Sequence, residues 1–417
     1  MTRAMQRVRI ISLLILLAGV PQLTDATAAR TQDSPATTPS SPVQAPLRSQ
    51  AALQAYLGSR AGQPTPLDAL PPLARQRFLD SLMFGRTGLG GFDTADLATE
   101  LTRREVLKIL ELFDVAGYAA MIEPRFPDSP PAWRGQPETG AVPAAYDVLV
   151  RLQRAGSDPA QLRQRYDALL GAGLSNPTNF DTRSDRELVY LFRATELIAS
   201  DAPSAEDAPH LQAIVNAMTR RGIARAQDYR RVLNSLLLTR DFTGAREFAS
   251  LHPQQGLQPV PEFRDRISDA TNAPTLWMPV SASDALERTP WDLAPTQILV
   301  IAGCHFSRDA AEDIARDPVL GPAFISHAHW LMLPPGQEDP DSVREWNRSF
   351  PDAPALQIVD RSEWSLLPAG WRMPTFLVVR NGKVVEQIIG WPRDPASNRQ
   401  ALVEALARHG LSNTGTP

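Results

Sequence analysis

The chain has 417 residues, 43% of them hydrophobic and 21% charged, and its 42 basic and 46 acidic residues leave a formal charge of −4. A globular composition at that length favours two domains, and charge of both signs spread along the chain offers no basic face to nucleic acid. The single cysteine, Cys304, excludes an internal disulfide and any two-thiol redox cycle within the chain.

At the N terminus Arg3, Arg7 and Arg9 precede an apolar run from Ile10 to Val20, and Ala-Thr-Ala follows at Ala26 to Ala28. This is the layout of a secretory signal peptide, expected over 1–28. The apolar run falls short of the roughly 20 residues that a bilayer-spanning helix needs, so the segment touches a membrane only if it stays uncleaved. A Pro/Ser/Thr-rich tether over 29–47 follows, and the mature protein is expected in the periplasm or outside the cell. In an oxidising compartment an odd cysteine pairs only with another molecule.

Residues 48–255 read as an α-helical domain, with apolar residues at three and four spacing and few β-branched runs. Tyr166, Leu169 and Leu170 mark one face, Leu188, Leu191 and Phe192 another, and Tyr229, Leu233, Leu236 and Leu237 a third. Pro- and Gly-rich breaks between them predict antiparallel helix pairs. The stretch from Gly85, GRTGLGGFDT, lacks the strand before it and the Lys-Ser or Lys-Thr after it that a phosphate loop requires; it reads as a turn before a helix capped by Asp93 or Thr94. The pair broken at Asp241, with Phe242, Ala245, Phe248, Ala249 and a closing Pro253, resembles a tetratricopeptide-type hairpin, although no second copy recurs at a fixed period.

A Pro-rich linker is expected over 256–274, and short apolar runs then alternate with helical patterns, so the fold class is α plus α/β. A buried strand from Gln297 precedes a helix striped by Phe306, Ala310 and Ile314, which stops at Asp317-Pro318. A second strand begins at His329, and Val343, Trp346 and Phe350 stripe a second helix. Two β-rich runs flank Asn381-Gly382, a pair suited to a tight hairpin turn. The last helix opens at Asp394-Pro395, stripes Leu402, Ala405 and Leu406, and closes at Gly410, leaving 413–417 as a tail.

A strand leading into Cys304-His305-Phe306-Ser307, a helix, and Met373-Pro374-Thr375 running into an Asn-Gly hairpin and a final helix together resemble the thioredoxin-like superfamily over 275–412, in a monothiol Cys-x-x-Ser form. The resemblance implies a central mixed sheet flanked by helices. It also implies a nucleophilic Cys304 at a helix start, where free backbone N–H groups and the helix dipole favour thiolate. His305 would add positive charge when protonated. Ser307 would stand where the family has its resolving cysteine, able to hydrogen-bond sulfur but not to expel a bound partner. Pro374 would be the family's cis-proline, with Met373 and Thr375 flanking a substrate groove. Gly303 departs from the usual tryptophan, and the strand before it lacks the acid that thioredoxins often bury as a proton relay.

The implied function is thiol-disulfide exchange or isomerisation through mixed disulfides, with client proteins carrying disulfides or free thiols and an external reductant as partners. A second reading stays open on the same residues: a non-catalytic interaction protein with a decayed redox site, Cys304 then being a small buried hydrophobe and Ser307 an ordinary helix-start residue. No cofactor is assigned. His327 and His329 alternate on one strand, yet they begin it while Cys304 follows the end of another, roughly 10 Å away at strand rise, so no metal is assigned either.

Overall fold

The computed structural model describes residues 45–412 apart from 86–87, 116–125, 175–179, 268–272, 281–283, 339, 369 and 393. The expected signal peptide and all but the end of the tether lie outside the described residues. Among those described, no helix is long and apolar enough to cross a membrane. By internal contacts the described chain divides into two compact units, 45–194 with 217–223, and 195–216 with 224–412.

The helical unit begins with α1 (Gln50–Ser59), α2 (Pro72–Ser81), a two-stranded ribbon of β1 (Met83–Gly85) and β2 (Gly88–Gly91), α3 (Ala95–Glu100) and α4 (Arg103–Leu112). Thr94 is the cap residue of α3, and Asp93 Oδ1 accepts from the Ala95 N–H at 2.8 Å. A capping box starts α4: Thr102 Oγ1 accepts from Glu105 N, and the Glu105 carboxylate accepts from Thr102 N. The rings of Phe92 and Phe113 meet Phe78 edge-on at 6.1 and 6.4 Å, in a core completed by Leu67, Leu97, Leu101, Ile109 and Leu110. Helix α5 (Ala141–Ala155) buries Val142, Tyr146, Leu149 and Val150 and ends at the left-handed Gly156, φ 75°. Asp158 caps α6 (Pro159–Tyr166), with Pro159 in its first turn. The long α7 (Asp185–Asp201) and α8 (Asp207–Arg220) follow, with residues 195–216 of that stretch counted in the other unit.

The second unit is built on a mixed sheet of eight strands in the order β10-β9-β6-β7-β8-β4-β5-β3. These are β3 (Glu262–Arg264), β4 (Thr275–Pro279), β5 (Ala285–Pro290), β6 (Gln297–Ile301), β7 (Ala328–Met332), β8 (Ala355–Ile358), β9 (Thr375–Arg380) and β10 (Lys383–Ile389). Strands β6, β7 and β8 are parallel, and β9 and β4 join their outer sides antiparallel. Every residue of β6 is buried, as a strand covered on both faces requires. Alternation divides its neighbours: Ile298, Val300, Trp330, Phe376 and Val378 face one core with α11 (His305–Arg316), α12 (Leu320–His327), α13 (Pro340–Ser349) and α14 (Ala396–His409), while Leu299, Ile301, Leu331, Leu377 and Val379 face another with Trp364. The turn at Asn381-Gly382 has φ of 50° and 71°, as a tight hairpin demands.

The chain does not divide at 256–274, where a linker is expected. That segment carries β3, and the preceding hairpin of α9 (Ala226–Leu238) and α10 (Phe242–Leu251) belongs to the sheet unit. Aromatic packing is the reason. Phe242 at the start of α10 stacks on Phe263 of β3 at 4.0 Å, and both meet Trp277 of β4 edge-on at 5.4 and 4.9 Å. Arg240 Nη2 adds a hydrogen bond to the Val359 carbonyl at 3.1 Å.

Candidate functional site

The end of β6 and the start of β9 place the expected residues. Ala302 N extends the β6–β7 ladder to Leu331 O at 2.9 Å, Gly303 turns the chain at φ 141°, and Cys304 becomes the cap residue of α11 in extended backbone. The Cys304 carbonyl accepts from Ser307 N at 3.0 Å, but its side chain makes no capping hydrogen bond, so sulfur is left to face across the sheet. Thr375 opens β9 opposite Ile301, which brings Met373, two residues earlier, to Cys304. The thiol donates to Met373 O at 3.6 Å, and Sγ lies 3.5 Å from Ser307 Oγ.

Cys304 is half-buried at a cleft of about 110 Å³ that His305, Arg308, Met332, Ser342 and Trp346 also line. Cys304, Ser307 and Met373 therefore form one cluster. The Met373–Pro374 peptide bond is cis, and Pro374 and Thr375 are buried behind Met373. Thr375 Oγ1 donates to Arg372 O at 2.8 Å, a bond that fixes the turn rather than opening a hydroxyl to a groove. His305 is exposed, and its ring rests on Phe306 at 3.8 Å. His329 packs edge-on against Trp291 at 4.7 Å, and burial with His327 beside it lowers its pKa. Among the described residues no group of three or more His, Cys, Asp or Glu could hold a metal ion.

One residue at this site has no counterpart in the sequence reading. A Cβ placed on Gly303 would lie 2.9 Å from Glu338 Oε2 and 3.1 Å from Met373 Sδ. Glycine is thus required there by what covers it as well as by its φ. The available signal was Gly303 itself, since a glycine directly before the helix-start cysteine leaves room for another residue.

The helical unit holds a second constellation that sequence reasoning missed. The buried Asp96 carboxylate accepts from Arg77 Nε at 3.1 Å, Arg77 Nη2 at 2.9 Å and Arg193 Nη1 at 2.8 Å. Arg186 Nη1 donates to Glu100 Oε1 at 3.0 Å, and the Tyr190 hydroxyl lies between Glu100 and Glu138. The guanidinium of Arg193 sits over the Tyr146 ring at 4.5 Å and that of Arg77 over Tyr190 at 5.3 Å. Burial opposes ionisation of Asp96, but Arg193 and Arg77 outweigh it and hold the carboxyl below its usual range. Burial, with Asp96 and Glu138 adding to it, outweighs Arg186 and Arg193 at Glu100 and lifts that carboxyl above its usual range. Glu100, Glu138 and Arg186 also border an open hollow of about 900 Å³ walled by Leu57, Leu70, Leu79 and Pro72. Comparison with family models, with curated proteins and with solved structures finds no match to this chain.

Proposed function

We propose that the sheet unit is a thioredoxin-like domain of an exported protein, and that Cys304 is its single nucleophile in thiol-disulfide exchange or isomerisation with client proteins. The observation that carries this reading is the position of Sγ: half-buried at the start of α11, open to a cleft, and 3.6 Å from the Met373 carbonyl at the edge of the neighbouring segment. The parallel β6–β7 pair, the antiparallel β9–β10 hairpin and the closing α14 support the fold assignment. The layout of residues 1–28 supports export.

In the proposed reaction the Cys304 thiolate attacks one sulfur of a client disulfide. A new S–S bond joins Cys304 to the client, the client's old S–S bond breaks, and its other sulfur leaves as a thiolate that takes up a proton. Ser307 offers no second sulfur, so Cys304 is released only when another client thiol, or a small external thiol, attacks the mixed disulfide.

The test is capture of a disulfide-bearing unfolded protein by the full chain, read as an adduct on a non-reducing gel and mapped by mass spectrometry. The adduct is expected at Cys304, absent in Cys304→Ser and shorter-lived in Ser307→Cys, which supplies a resolving sulfur. A native protein whose Cys304 forms no adduct and resists iodoacetamide until denatured would overturn this reading in favour of a non-catalytic interaction protein.

A further inference from the structure

The open hollow of the helical unit, about 900 Å³, falls within the size range of small-molecule sites. Leu57, Leu70, Leu79 and Pro72 give it an apolar wall, and its charged lining is Asp68, Glu100 and Glu138 with Arg75, Arg134 and Arg186. What it can hold depends on which polar atoms of that lining the fold leaves without a partner.

Five of the six charged groups are committed to the protein itself. Asp68 accepts from Arg75 on Oδ1 and from Thr65 N and Oγ1 on Oδ2. Arg134 donates to both oxygens of Glu105 and to the Glu100 carbonyl. Glu138 serves the start of α2, where Pro71 offers no side-chain cap: Oε2 accepts from Leu73 N at 2.7 Å, and Oε1 from Ala74 N at 3.2 Å and from the Tyr190 hydroxyl. Arg186 donates through Nη1 to Glu100 Oε1 and through Nη2 to Trp133 O, and its unpartnered Nε is sealed from solvent.

Glu100 differs from the other five. Its side-chain hydrogen bonds, from Arg186 Nη1 at 3.0 Å and the Tyr190 hydroxyl at 3.2 Å, both end on Oε1, and the hydroxyl has one proton to share with Glu138. Among the described residues Oε2 accepts no hydrogen bond, and unlike Arg186 Nε it is not sealed. The residue is only 2% exposed, and the hollow it lines is the outlet for that oxygen. Burial, with Asp96 and Glu138 adding to it, lifts this carboxyl above its usual range, as a carboxylate short of donors requires. We propose that the hollow binds a small organic ammonium ion, whose N–H groups donate to Glu100 Oε2 and whose hydrocarbon part lies against Leu57, Leu70 and Leu79.

The charges at the hollow support that sign. Arg75 and Arg134 are each neutralised by an acid of their own, Asp68 and Glu105. Arg186 alone then faces two acids, Glu100 and Glu138, and Arg77, 3.5 Å from Glu138, is shared with Asp96 and Asp147. An ammonium supplies the missing donor and leaves the carboxylate ionised, whereas an anion would meet the lone pairs of Oε2.

The experiment titrates the full chain at neutral pH with phenethylammonium, phenethyl alcohol and hydrocinnamate, three probes with one ring and different head groups, by isothermal titration calorimetry. The ammonium is expected to bind at least about tenfold more tightly than the alcohol, and the carboxylate most weakly. Glu100→Gln keeps an acceptor oxygen for Arg186 and removes the charge; it should weaken the ammonium by about tenfold or more and leave the alcohol unchanged. Hydrogen exchange locates the ligand in the wild type, where phenethylammonium should slow exchange over 69–79 and 134–138. If Glu100→Gln does not fold, the head-group ranking and this exchange pattern decide alone. No preference for the ammonium, wild-type affinity in a folded Glu100→Gln, or protection confined to other segments overturns the inference.

Discussion

Asp96→Asn is the sharpest test of the helical unit. The wild-type carboxylate is 3% exposed and is shared by two guanidiniums, themselves 1% and 4% exposed, through contacts of 2.8 to 3.1 Å. The amide keeps one acceptor oxygen, but its NH₂ faces an arginine N–H, and the negative charge that holds Arg77 and Arg193 together is gone. Removing one partner of a buried ion pair costs about 3–5 kcal/mol, and the loss falls mainly on Arg193, because Arg77 keeps Glu138 at 3.5 Å and Asp147 at 3.6 Å. At about 2–4 °C per kcal/mol for a unit of this size, the melting temperature should fall by roughly 6–20 °C. The assay is urea and thermal unfolding of the full chain followed by circular dichroism. Combining Asp96→Leu with Arg193→Met, which leaves Arg77 to Glu138 and Asp147, should recover part of that loss, since apolar groups of similar volume often match a buried ion pair. A loss below about 1 kcal/mol for Asp96→Asn would refute the reasoning, because it is the size expected of a hydrated surface pair.

The two buried carboxyls respond to pH with opposite signs. Glu100 lies above its usual value when folded, so stability rises as pH falls from neutral through that value, and Glu100→Gln should abolish the rise. Asp96 lies below its usual value, and Glu105, held mainly by Arg134, falls to about 2; their contributions are complete above the ordinary carboxylate range and are lost as pH drops through the folded values. Glu105→Gln should therefore flatten the acid limb of midpoint against pH between about 4.5 and 2, measured by thermal scans. Gly336→Ala should destabilise by more than Gly382→Ala in urea titrations: both have positive φ, a strain of about 1–3 kcal/mol, but only at Gly336 does the added Cβ meet helix backbone. Equal losses would show that the contact with α9 yields freely.

The sheet's centre was visible in the sequence because its residues answer to local rules. The run at 297–301 is apolar enough to need cover on both faces, Asn381-Gly382 permits only a tight turn, and Gly410 ends the last helix at φ 70°. Strands β3, β4 and β8 were not visible. Strand β8 is four residues long, β3 is three and falls within the stretch read as linker, and β4 follows directly on that stretch, so each exists because a neighbour pairs with it. The buried arginines were hidden for a related reason, since a charged residue on an amphipathic helix is ordinarily taken as solvated. Arg186 and Arg193 nevertheless sit four before and three after Tyr190 on α7, on the face that carries the buried ring, and that spacing was the available signal.

Glycine is where local rules say least and tertiary contact says most. The sequence shows Gly303 only as the residue before the cysteine, and Gly336 only as the residue after Pro334-Pro335. The structure joins the two observations. Any side chain on residue 303 would enter the space that Glu338 and Met373 fill, so a glycine there lets another loop lay an acid over the residue before the cysteine. That loop in turn depends on Gly336, whose missing side chain lets α9 hold it in place. The helical hairpin, which the sequence assigns to a separate domain, thereby becomes part of what shapes the thiol's surroundings. Gly336→Ala should therefore shift that loop and change the iodoacetamide alkylation rate of Cys304, whereas Gly382→Ala, with open space around it, should leave the rate unchanged.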